Sequence, residues 1–424
     1  MRETSLLQID VDSLRHNMSV LRQIVGSDCC LCPMVKADGY CLGARSLGPK
    51  LVAAGADALA VYSPMQAAEL LQENLSVPIL VLMPVYDVQA LQELNASILA
   101  GQLHLTVHDL DQLKALAPVA ERNGVLLPLH VEVDTGMGRG GCNLEDAPQL
   151  IREIVSSSGQ SRFRLAGVFT HFAHVAGDPT FTELQFSRFD ALLKALGNLL
   201  PDECLIHAAN SLATLSNAKY HKKMVRVGQA WIGYGSEHLE SGEFLVKGLQ
   251  LKPILSWKSK IVHVKTVEQG QSVGYRRTWT AKRRSRIALI PIGYADGFPV
   301  GLGSTDINSK QPCVGVKLNS KTSSSQEKLQ FAPVVGTVNM DQITIDLTEF
   351  DPPTDNSSHL TSVGSEVELI GVDRDLPNHL PTLAVNAGLT THCLLAGLNP
   401  RTKRIYSDEA SAEQAIATAS ALVS

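Results

Sequence analysis

The sequence predicts an α/β protein: a (β/α)8 TIM-type barrel followed by a C-terminal, mainly antiparallel β domain. From residue 10 to about residue 235, short apolar runs alternate with amphipathic segments, as in parallel strands joined by helices. After about residue 245, apolar and polar residues alternate within each run, and Gly, Pro and Ser separate the runs, as in antiparallel sheets. The 424 residues also exceed what one ordinary hydrophobic core holds, which favours two domains.

Eight apolar runs, most of them rich in Val, Ile and Leu, are the predicted barrel strands. They lie at residues 30–36, 57–63, 77–83, 102–107, 125–133, 164–171, 203–208 and 224–228. Helix-like segments such as 43–55, 63–74 and 180–200 lie between them. Eight strands with intervening helices favour a closed barrel over the alternative, a flat doubly wound sheet.

The β domain is predicted from four alternating segments, at residues 251–267, 285–297, 333–347 and 365–371. We expect the barrel to cover residues 8–240 and the β domain residues 241–406, with residues 1–7 joining the β domain. The polar, Ser-rich stretch 319–328 is predicted to be the tip of a long hairpin. Residues 407–424, rich in Ala and Ser, are expected to be a tail, either a fraying helix or disordered.

Charge and cysteine content disfavour several classes of function. The formal net charge is -5 and no long Lys/Arg block occurs, so no nucleic-acid partner is expected. No apolar run reaches transmembrane length and the first residues lack the apolar core of a signal peptide, so we expect a cytoplasmic protein without membrane contact. The eight cysteines are irregularly spaced and the histidines lack metal-site spacing, so reduced thiols and no metal site are predicted.

Polar residues at predicted strand ends mark a candidate site. In an eight-stranded α/β barrel, functional side chains cluster at the C-terminal ends of the strands, and phosphate often binds after strands 7 and 8. The residues in such positions are Lys36 after strand 1, Arg139 after strand 5, His171 at the end of strand 6, Asn210 and Ser211 after strand 7, and Arg226, Gly228 and Gln229 on and after strand 8. These positions predict one site at the barrel mouth.

Lys36 admits two interpretations. A lysine at the end of a buried strand can extend its amine to the rim, towards solvent or a carboxylate. It can also be a Schiff-base lysine, whose pKa burial readily lowers. Tyr40 could offer its hydroxyl to a phosphate, and the small residues around Ser211 and Gly228 could bring backbone N–H groups to it. Together these features favour a phosphorylated aldehyde cofactor.

Eight motifs, in one order along the chain, resemble those of the alanine racemase family. They are VKADGY, VDTGMGRGG, THFAH, HAANS, VRVGQAWIGYG, SVGYRRTW, PIGYADGFP and VNMDQ, and the match extends from about residue 5 to residue 406. The resemblance implies an enzyme that uses pyridoxal 5'-phosphate to interconvert L- and D-alanine, and so supplies D-alanine for peptidoglycan. It also implies a homodimer whose subunits share each active site.

The resemblance implies two catalytic bases. Lys36 is similar to the lysine that binds the cofactor covalently and acts as the base for the D enantiomer. Tyr275, in SVGYRRTW, is similar to the base for the L enantiomer, which in this family comes from the β domain of the partner subunit. Arg139 resembles the arginine that contacts the phenolic oxygen of the cofactor and the substrate carboxylate. Met340 resembles the residue whose backbone N–H binds that carboxylate.

The cofactor contacts follow from the same resemblance. Arg226 resembles the partner of the pyridine nitrogen, and His171 the residue that orients this arginine. The residues similar to the phosphate contacts are Tyr40, Ser211, Gly228 and Gln229. Asn210, Tyr294 and Asp341 are expected to support the residues that bind the cofactor and substrate, without binding either themselves. Tyr294 is expected at the substrate entrance. Asp341 is expected either to hold the carboxylate-binding loop or to cap a turn.

Two positions depart from the family's pattern. Many members have a lysine, often carbamylated, two positions before the Asp of DTGMGR; here Glu132 stands there, and we expect its carboxylate to orient Arg139. Some members have a tyrosine near residue 400, where this chain has Asn399 and Pro400, so a broader serine and alanine racemase is an alternative. A fold-type III decarboxylase is a weaker alternative, because such enzymes generally place a carboxylate, unlike Arg226, against the pyridine nitrogen.

Overall fold

The computed structural model describes residues 4–157, 162–235, 237, 249–303, 313–318, 329–350 and 361–408. These residues form two compact units. Residues 12–252 contribute to the barrel unit, and the residues before 12 join those from 253 onward in the β unit. The predicted boundary at 240/241, the predicted hairpin tip 319–328 and residues 409–424 of the predicted tail lie outside the described residues.

The elements of the barrel unit alternate between strands and helices. After β1 (Leu6–Ile9), which belongs to the β unit, the strands are β2 (Cys30–Pro33), β3 (Leu59–Val61), β4 (Ile79–Val81), β5 (Leu103–Val107), β6 (Leu127–Glu132), β7 (Phe163–Phe169), β8 (Leu205–His207) and β9 (Met224–Val227). The helices are α1 (Val11–Val25), α2 (Ala44–Ala53), α3 (Pro64–Leu71), α4 (Asn95–Leu99), α5 (Leu110–Asn123), α6 (Ala147–Ser157), α7 (Pro179–Leu196), α8 (Ser211–Ser216) and α9 (Gln229–Ile232). Among the described residues, no helix is long and apolar enough to cross a membrane.

Hydrogen bonds close the eight parallel strands into a barrel. Neighbouring strands follow the order β2, β9, β8, β7, β6, β5, β4, β3. The Val35 N–H donates to the Ala60 carbonyl oxygen (2.8 Å), and Met34 pairs with Ala60, so the end of β2 is joined to β3. The predicted (β/α)8 barrel is therefore confirmed, and the flat doubly wound sheet is excluded.

Local sequence signals start two barrel helices just past the strand ends. Ser63 and Gln66 form a capping box at the start of α3, with Pro64 in the first turn. The Asp109 carboxylate accepts a hydrogen bond from the Gln112 N–H at the start of α5. Because these caps follow β3 and β5 within two residues, they fix short loops at the C-terminal mouth of the barrel.

The β unit is built around a mainly antiparallel sheet. Its further elements are β10 (Leu255–Lys260), β11 (His263–Val267), β12 (Ser272–Val273), β13 (Trp279–Thr280), β14 (Ser285–Ile290), β15 (Val314–Lys317), β16 (Leu329–Ala332), β17 (Ile343–Asp346), β18 (Glu366–Ile370), α10 (Leu380–Asn386), α11 (Thr391–Ala396) and β19 (Lys403–Tyr406). Six strands pair in the order β16, β15, β18, β10, β1, β19, in which β1 is antiparallel to β10 and parallel to β19. The predicted antiparallel β domain is confirmed.

Two smaller sheets complete the β unit. One pairs β11, β14 and β17, and the other is the two-stranded ribbon of β12 and β13. A buried apolar cluster includes one residue from each strand of the ribbon and consists of Val267, Val273, Trp279, Ala281, Ile287 and Val335. Burying each large apolar side chain contributes about 1.5–3 kcal/mol, so this cluster anchors the ribbon whose turn carries Tyr275.

Candidate active site

The barrel brings the predicted barrel residues to one mouth. Lys36 follows β2, Glu132 ends β6, Arg139 lies in the loop after β6, and His171 follows β7. Asn210 and Ser211 lie between β8 and α8, and Arg226, Gly228 and Gln229 lie at the end of β9 and the start of α9. Because all eight strands are parallel, their C-terminal ends share one rim.

A left-handed turn follows Lys36. Ala37, Asp38, Gly39, Tyr40 and Cys41 all have φ between 51° and 62°. Each non-glycine residue in this conformation costs roughly 1–2 kcal/mol, so the turn is strained. The Asp38 carboxylate accepts a hydrogen bond from the Ala44 N–H (2.7 Å), which ties the turn to α2.

The left-handed turn places the Tyr40 hydroxyl against Gly228. Tyr40 is buried, and a Cβ atom on Gly228 would lie 2.2 Å from its hydroxyl oxygen. The Ser211 hydroxyl accepts hydrogen bonds from the Gly228 N–H (2.9 Å) and the Ala230 N–H (3.3 Å). Two hydroxyls therefore meet where no side chain fits on Gly228, and a hydroxyl that accepts from backbone N–H groups can itself donate to a phosphate oxygen.

The Lys36 amine stands among positive charges. Desolvation, followed by the charges of Arg139 and Arg226, lowers the pKa of this amine although its side chain reaches solvent. Within the described part of the chain, the Lys36 amine has no hydrogen bond or ion pair. A lysine with a lowered pKa and no carboxylate partner is a better nucleophile towards an aldehyde than an ordinary surface lysine.

Arg226 is a buried guanidinium held by neutral acceptors. It is 3% exposed and donates to His207 Nδ1 (2.6 Å), to the Thr170 carbonyl oxygen (3.0 Å) and to His171 Nδ1 (3.1 Å). Its guanidinium also lies 4.8 Å above the Phe169 ring. No carboxylate of the described residues forms an ion pair with it. Burial, and then the charge of Arg226, lowers the pKa of His171 to about 3, so this ring stays neutral.

The sequence predicts that Glu132 orients Arg139, but the structure shows no ion pair between them among the described residues. The Glu132 carboxylate lies 2.9 Å from His108 Nε2, and both side chains are largely buried. A Cβ atom on Gly141 would lie 3.0 Å from Glu132 Cγ, so this loop residue packs directly against the Glu132 side chain. Among the described residues Arg139 has no ion pair, and the expectation that Glu132 orients it is corrected accordingly.

The remaining predicted residues lie in the β unit. The Tyr294 N–H donates to the Asn339 carbonyl oxygen (2.9 Å), next to Met340. Asp341 accepts a hydrogen bond from Arg401 (2.7 Å). Tyr275 lies on the turn after β12 and is 74% exposed. Gly274, the residue before Tyr275, packs against residues 336–337, which are close in sequence to Met340.

Two family models match almost the whole chain. The model described as the N-terminal domain of alanine racemase matches residues 9–236, and that of the C-terminal domain matches residues 254–406. The chain belongs to the alanine racemase family. The resemblance inferred from the eight motifs is therefore confirmed.

Individual alanine racemases resemble the chain over most of its length. The protein from Halothermothrix orenii is 32% identical over 95% of this chain and 96% of its own. Alanine racemase 2 of Caldanaerobacter subterraneus is 32% identical over 94% of each chain. Among solved structures, alanine racemase from E. faecalis superposes with a TM-score of 0.77 and 28% identity, over 96% of this chain and 98% of its own.

Sequence reasoning missed three contacts in this alanine racemase family member. His108 follows β5, and its position at a strand end was the signal that could have found it. The Asp134 carboxylate accepts hydrogen bonds from the N–H groups of Gly136 and Met137, each at 2.8 Å, and so shapes the Arg139 loop. Arg401 bridges Asp296 and Asp341, each at 2.7 Å, and no sequence pattern pointed to it.

Proposed function

We propose that this chain is an alanine racemase that interconverts L- and D-alanine with pyridoxal 5'-phosphate as cofactor. The observation that carries the proposal is the Lys36 amine, which has a lowered pKa and stands at the barrel mouth near a buried Arg226 that lacks a carboxylate partner. Family membership and relatives named alanine racemase at 32% identity support it. The product D-alanine would serve peptidoglycan in the cytoplasm.

The residues at the barrel mouth fit this cofactor. Lys36 would hold it covalently, and the hydroxyls of Tyr40 and Ser211 with the backbone N–H of Gly228 would bind its phosphate. Gln229, at the start of α9, would complete the phosphate contacts, and Asn210 caps α8 beneath them (Ala213 N–H to Asn210 Oδ1, 3.1 Å). The alanine racemase of Bartonella henselae, which has the same fold, holds pyridoxal phosphate covalently.

Arg226 favours racemisation over decarboxylation. Bound pyridoxal phosphate acts as an electron sink that acidifies the Cα–H of an attached amino acid. Arg226 stays charged and can only donate, so against the pyridine nitrogen it would disfavour protonation of that nitrogen and would limit the strength of the sink. His171 and His207 hold the guanidinium in this role through their Nδ1 atoms.

Two bases would exchange the proton at the substrate Cα. The Lys36 amine would act on one face and the hydroxyl of Tyr275 of the partner subunit on the other, because inversion requires proton delivery to both faces. Arg139, which has no ion pair among the described residues, would bind the substrate carboxylate together with the Met340 N–H. We propose a head-to-tail homodimer as the assembly that supplies the second base.

Exposed apolar side chains support this assembly. Tyr62, Met65 and Tyr86 follow β3 and β4 at the barrel mouth and are at least half exposed. In the β unit, Tyr275 and Met340 are likewise exposed, the latter at 55%. Exposed apolar clusters often mark contact surfaces, and docking of one subunit's β unit on its partner's barrel mouth would cover both sets.

Chiral product analysis tests the proposed function. With added pyridoxal phosphate, L-alanine is expected to give D-alanine, and L-serine a smaller yield of D-serine. The Lys36→Ala variant is expected to lose activity by several orders of magnitude, whereas Lys114→Ala, which changes an exposed lysine on α5, is expected to retain it. If the unaltered protein forms no D-isomer from either amino acid, the proposal is wrong.

A further inference from the structure

Three buried histidines form a line through the barrel interior that begins at Arg226. His207 Nδ1 accepts from Arg226 (2.6 Å), and its Nε2 lies 3.0 Å from His130 Nδ1. His130 Nε2 lies 2.9 Å from His104 Nδ1. The three rings, here called the histidine line, come from β8, β6 and β5.

The guanidinium fixes the proton positions along the whole line. Because a guanidinium has only donors, His207 Nδ1 must accept, and the proton of His207 must lie on Nε2. That N–H then donates to His130 Nδ1, so the proton of His130 lies on Nε2 as well, and the same reasoning applies to His104. The three rings therefore share one neutral tautomer and point their hydrogen bonds in one direction.

Burial keeps the line neutral. Desolvation, and then the charge of Arg164, lowers the pKa of His104 to about 4. Desolvation also holds the pKa values of His130 and His207 well below the ordinary histidine value. A protonated ring would have no free acceptor and would interrupt the line.

The neighbouring strand is shaped around the histidine line. A Cβ atom on Gly167, in β7, would lie 2.2 Å from His130 Nδ1, so only glycine leaves room for this ring. The pairing of β6 with β7 shifts register between Leu129 and His130. The Phe169 ring stacks on His207 at 4.6 Å between centroids and also lies against Arg226. The fold is thus adapted to this arrangement of rings.

The histidine line makes His207 Nδ1 a stronger hydrogen-bond acceptor for Arg226. A buried guanidinium without a carboxylate needs strong neutral acceptors to replace its hydration. Hydrogen bonds in a chain polarise one another, so donation from His207 Nε2 to His130 increases the electron density at His207 Nδ1. The same donation prevents His207 from adopting the opposite tautomer, which would place an N–H against the guanidinium.

We propose that His104 and His130 are positioning residues that lock the tautomer of His207 and thereby hold Arg226 as a fixed hydrogen-bond donor at the barrel mouth. The identity of the group that receives this donor, the pyridine nitrogen of pyridoxal phosphate, rests on the proposed function. The tautomer lock itself is a property of the protein alone.

Nitrogen NMR of the full chain labelled at histidine tests the lock directly. Single substitutions assign the signals of His104, His130 and His207, and we expect all three to be neutral with the proton on Nε2 at pH 7.5, without and with added pyridoxal phosphate. A charged ring, or a proton on Nδ1 in any of the three, would overturn the proposal. An intact line in a protein that makes no D-alanine would instead refute the proposed function alone.

A substitution in the middle of the line tests its effect on Arg226. In His130→Phe we expect mixed tautomers at His207 and roughly tenfold weaker binding of pyridoxal phosphate. His130→Gln, which keeps a donor and an acceptor, should recover part of the loss, and the exposed His263→Gln should change neither quantity. Unchanged tautomer and affinity in a folded His130→Phe would contradict the proposal; if that variant does not fold, the same measurements on His104→Phe decide.

Discussion

At the scale of single residues, the barrel mouth gathers positive charge around the Lys36 amine. Desolvation, followed by the charges of Arg139 and Arg226, lowers the pKa of Lys36, and neither arginine has an ion pair among the residues that the structure describes. Unpaired cations that lie close together attract anions. The mouth is therefore suited to a ligand with a phosphate and to a substrate with a carboxylate.

Removal of the Tyr275 hydroxyl should affect the two enantiomers unequally. If Tyr275 acts on the L face and Lys36 on the D face, Tyr275→Phe should slow deuterium exchange at Cα of L-alanine by at least about a hundredfold, the usual contribution of a general base. Exchange from D-alanine should fall much less. Mass spectrometry of each enantiomer in deuterated buffer measures this, and an equal loss for both would show that Tyr275 is not a face-specific base.

Several residue contacts could not be predicted from the sequence because they join distant strands. Glu132 and His108 are 24 positions apart, and their pairing depends on the neighbouring ends of β5 and β6. His104 and His130 have no metal-site spacing in the sequence, so no local pattern marks either of them as part of a site. Only the register of β5, β6 and β8 reveals that they form a line to Arg226.

At the scale of elements, the barrel strands were predictable and the turn after Lys36 was not. Buried parallel strands appear as continuous apolar runs, and all eight observed strands overlap the predicted ones. The left-handed turn contains Ala37 and Asp38, and alanine in particular gives no local signal for positive φ. Its conformation depends on tertiary contacts, such as the hydrogen bond from Ala44 to the Asp38 carboxylate.

The two loops that carry Tyr294 and Met340 should depend on Arg401. Its guanidinium joins Asp296 to Asp341, so Arg401→Gln should loosen both loops and raise the KM for alanine roughly tenfold, with a smaller change in kcat. Arg401→Lys should show a smaller increase in KM, because an ammonium keeps the positive charge but lacks the planar fork that reaches both carboxylates. Steady-state kinetics in both directions measure this.

A matched control separates this role from general loss of surface charge. Arg283 forms an exposed ion pair with Glu349, and Arg283→Gln should leave KM unchanged, since exposed ion pairs contribute little. If Arg401→Gln also leaves KM unchanged, the bridge does not position the substrate-binding loops.

At the scale of the whole molecule, two units divide the functional groups between them. The sequence predicted this division because the apolar pattern changes from buried runs to alternation. The barrel unit carries Lys36, Arg139 and Arg226, and the β unit carries Tyr275 and Met340. In the proposed homodimer, the shared site would use groups from both kinds of unit, so an exposed Tyr275 in the β unit agrees with the proposed catalytic role.

Buried neutral histidines should make the fold sensitive to acid. The pKa of His104 is about 4 in the folded protein and about 6.5 when unfolded, so the unfolded chain binds more protons between these values and stability is lost as the pH falls. When the pH falls from 7 to 5, this one group should lower the free energy of unfolding by about 2 kcal/mol.

Urea unfolding of His104→Phe measures this contribution. The free energy of unfolding of the variant is compared with that of the unaltered protein at each pH. The difference should shift in favour of the variant by about 2 kcal/mol from pH 7 to pH 5. The exposed His263→Leu should show no such pH-dependent difference. A difference for His104→Phe that does not change with pH would mean that this ring is not held neutral by the fold.

Borohydride reduction of the protein loaded with pyridoxal phosphate, followed by peptide mass mapping, tests the role of Lys36 most directly. A covalent cofactor at the barrel mouth predicts a phosphopyridoxyl group on Lys36 and on no other lysine, and its absence in Lys36→Ala. A label on a different lysine, or no label in a protein that racemises alanine, would contradict the assignment.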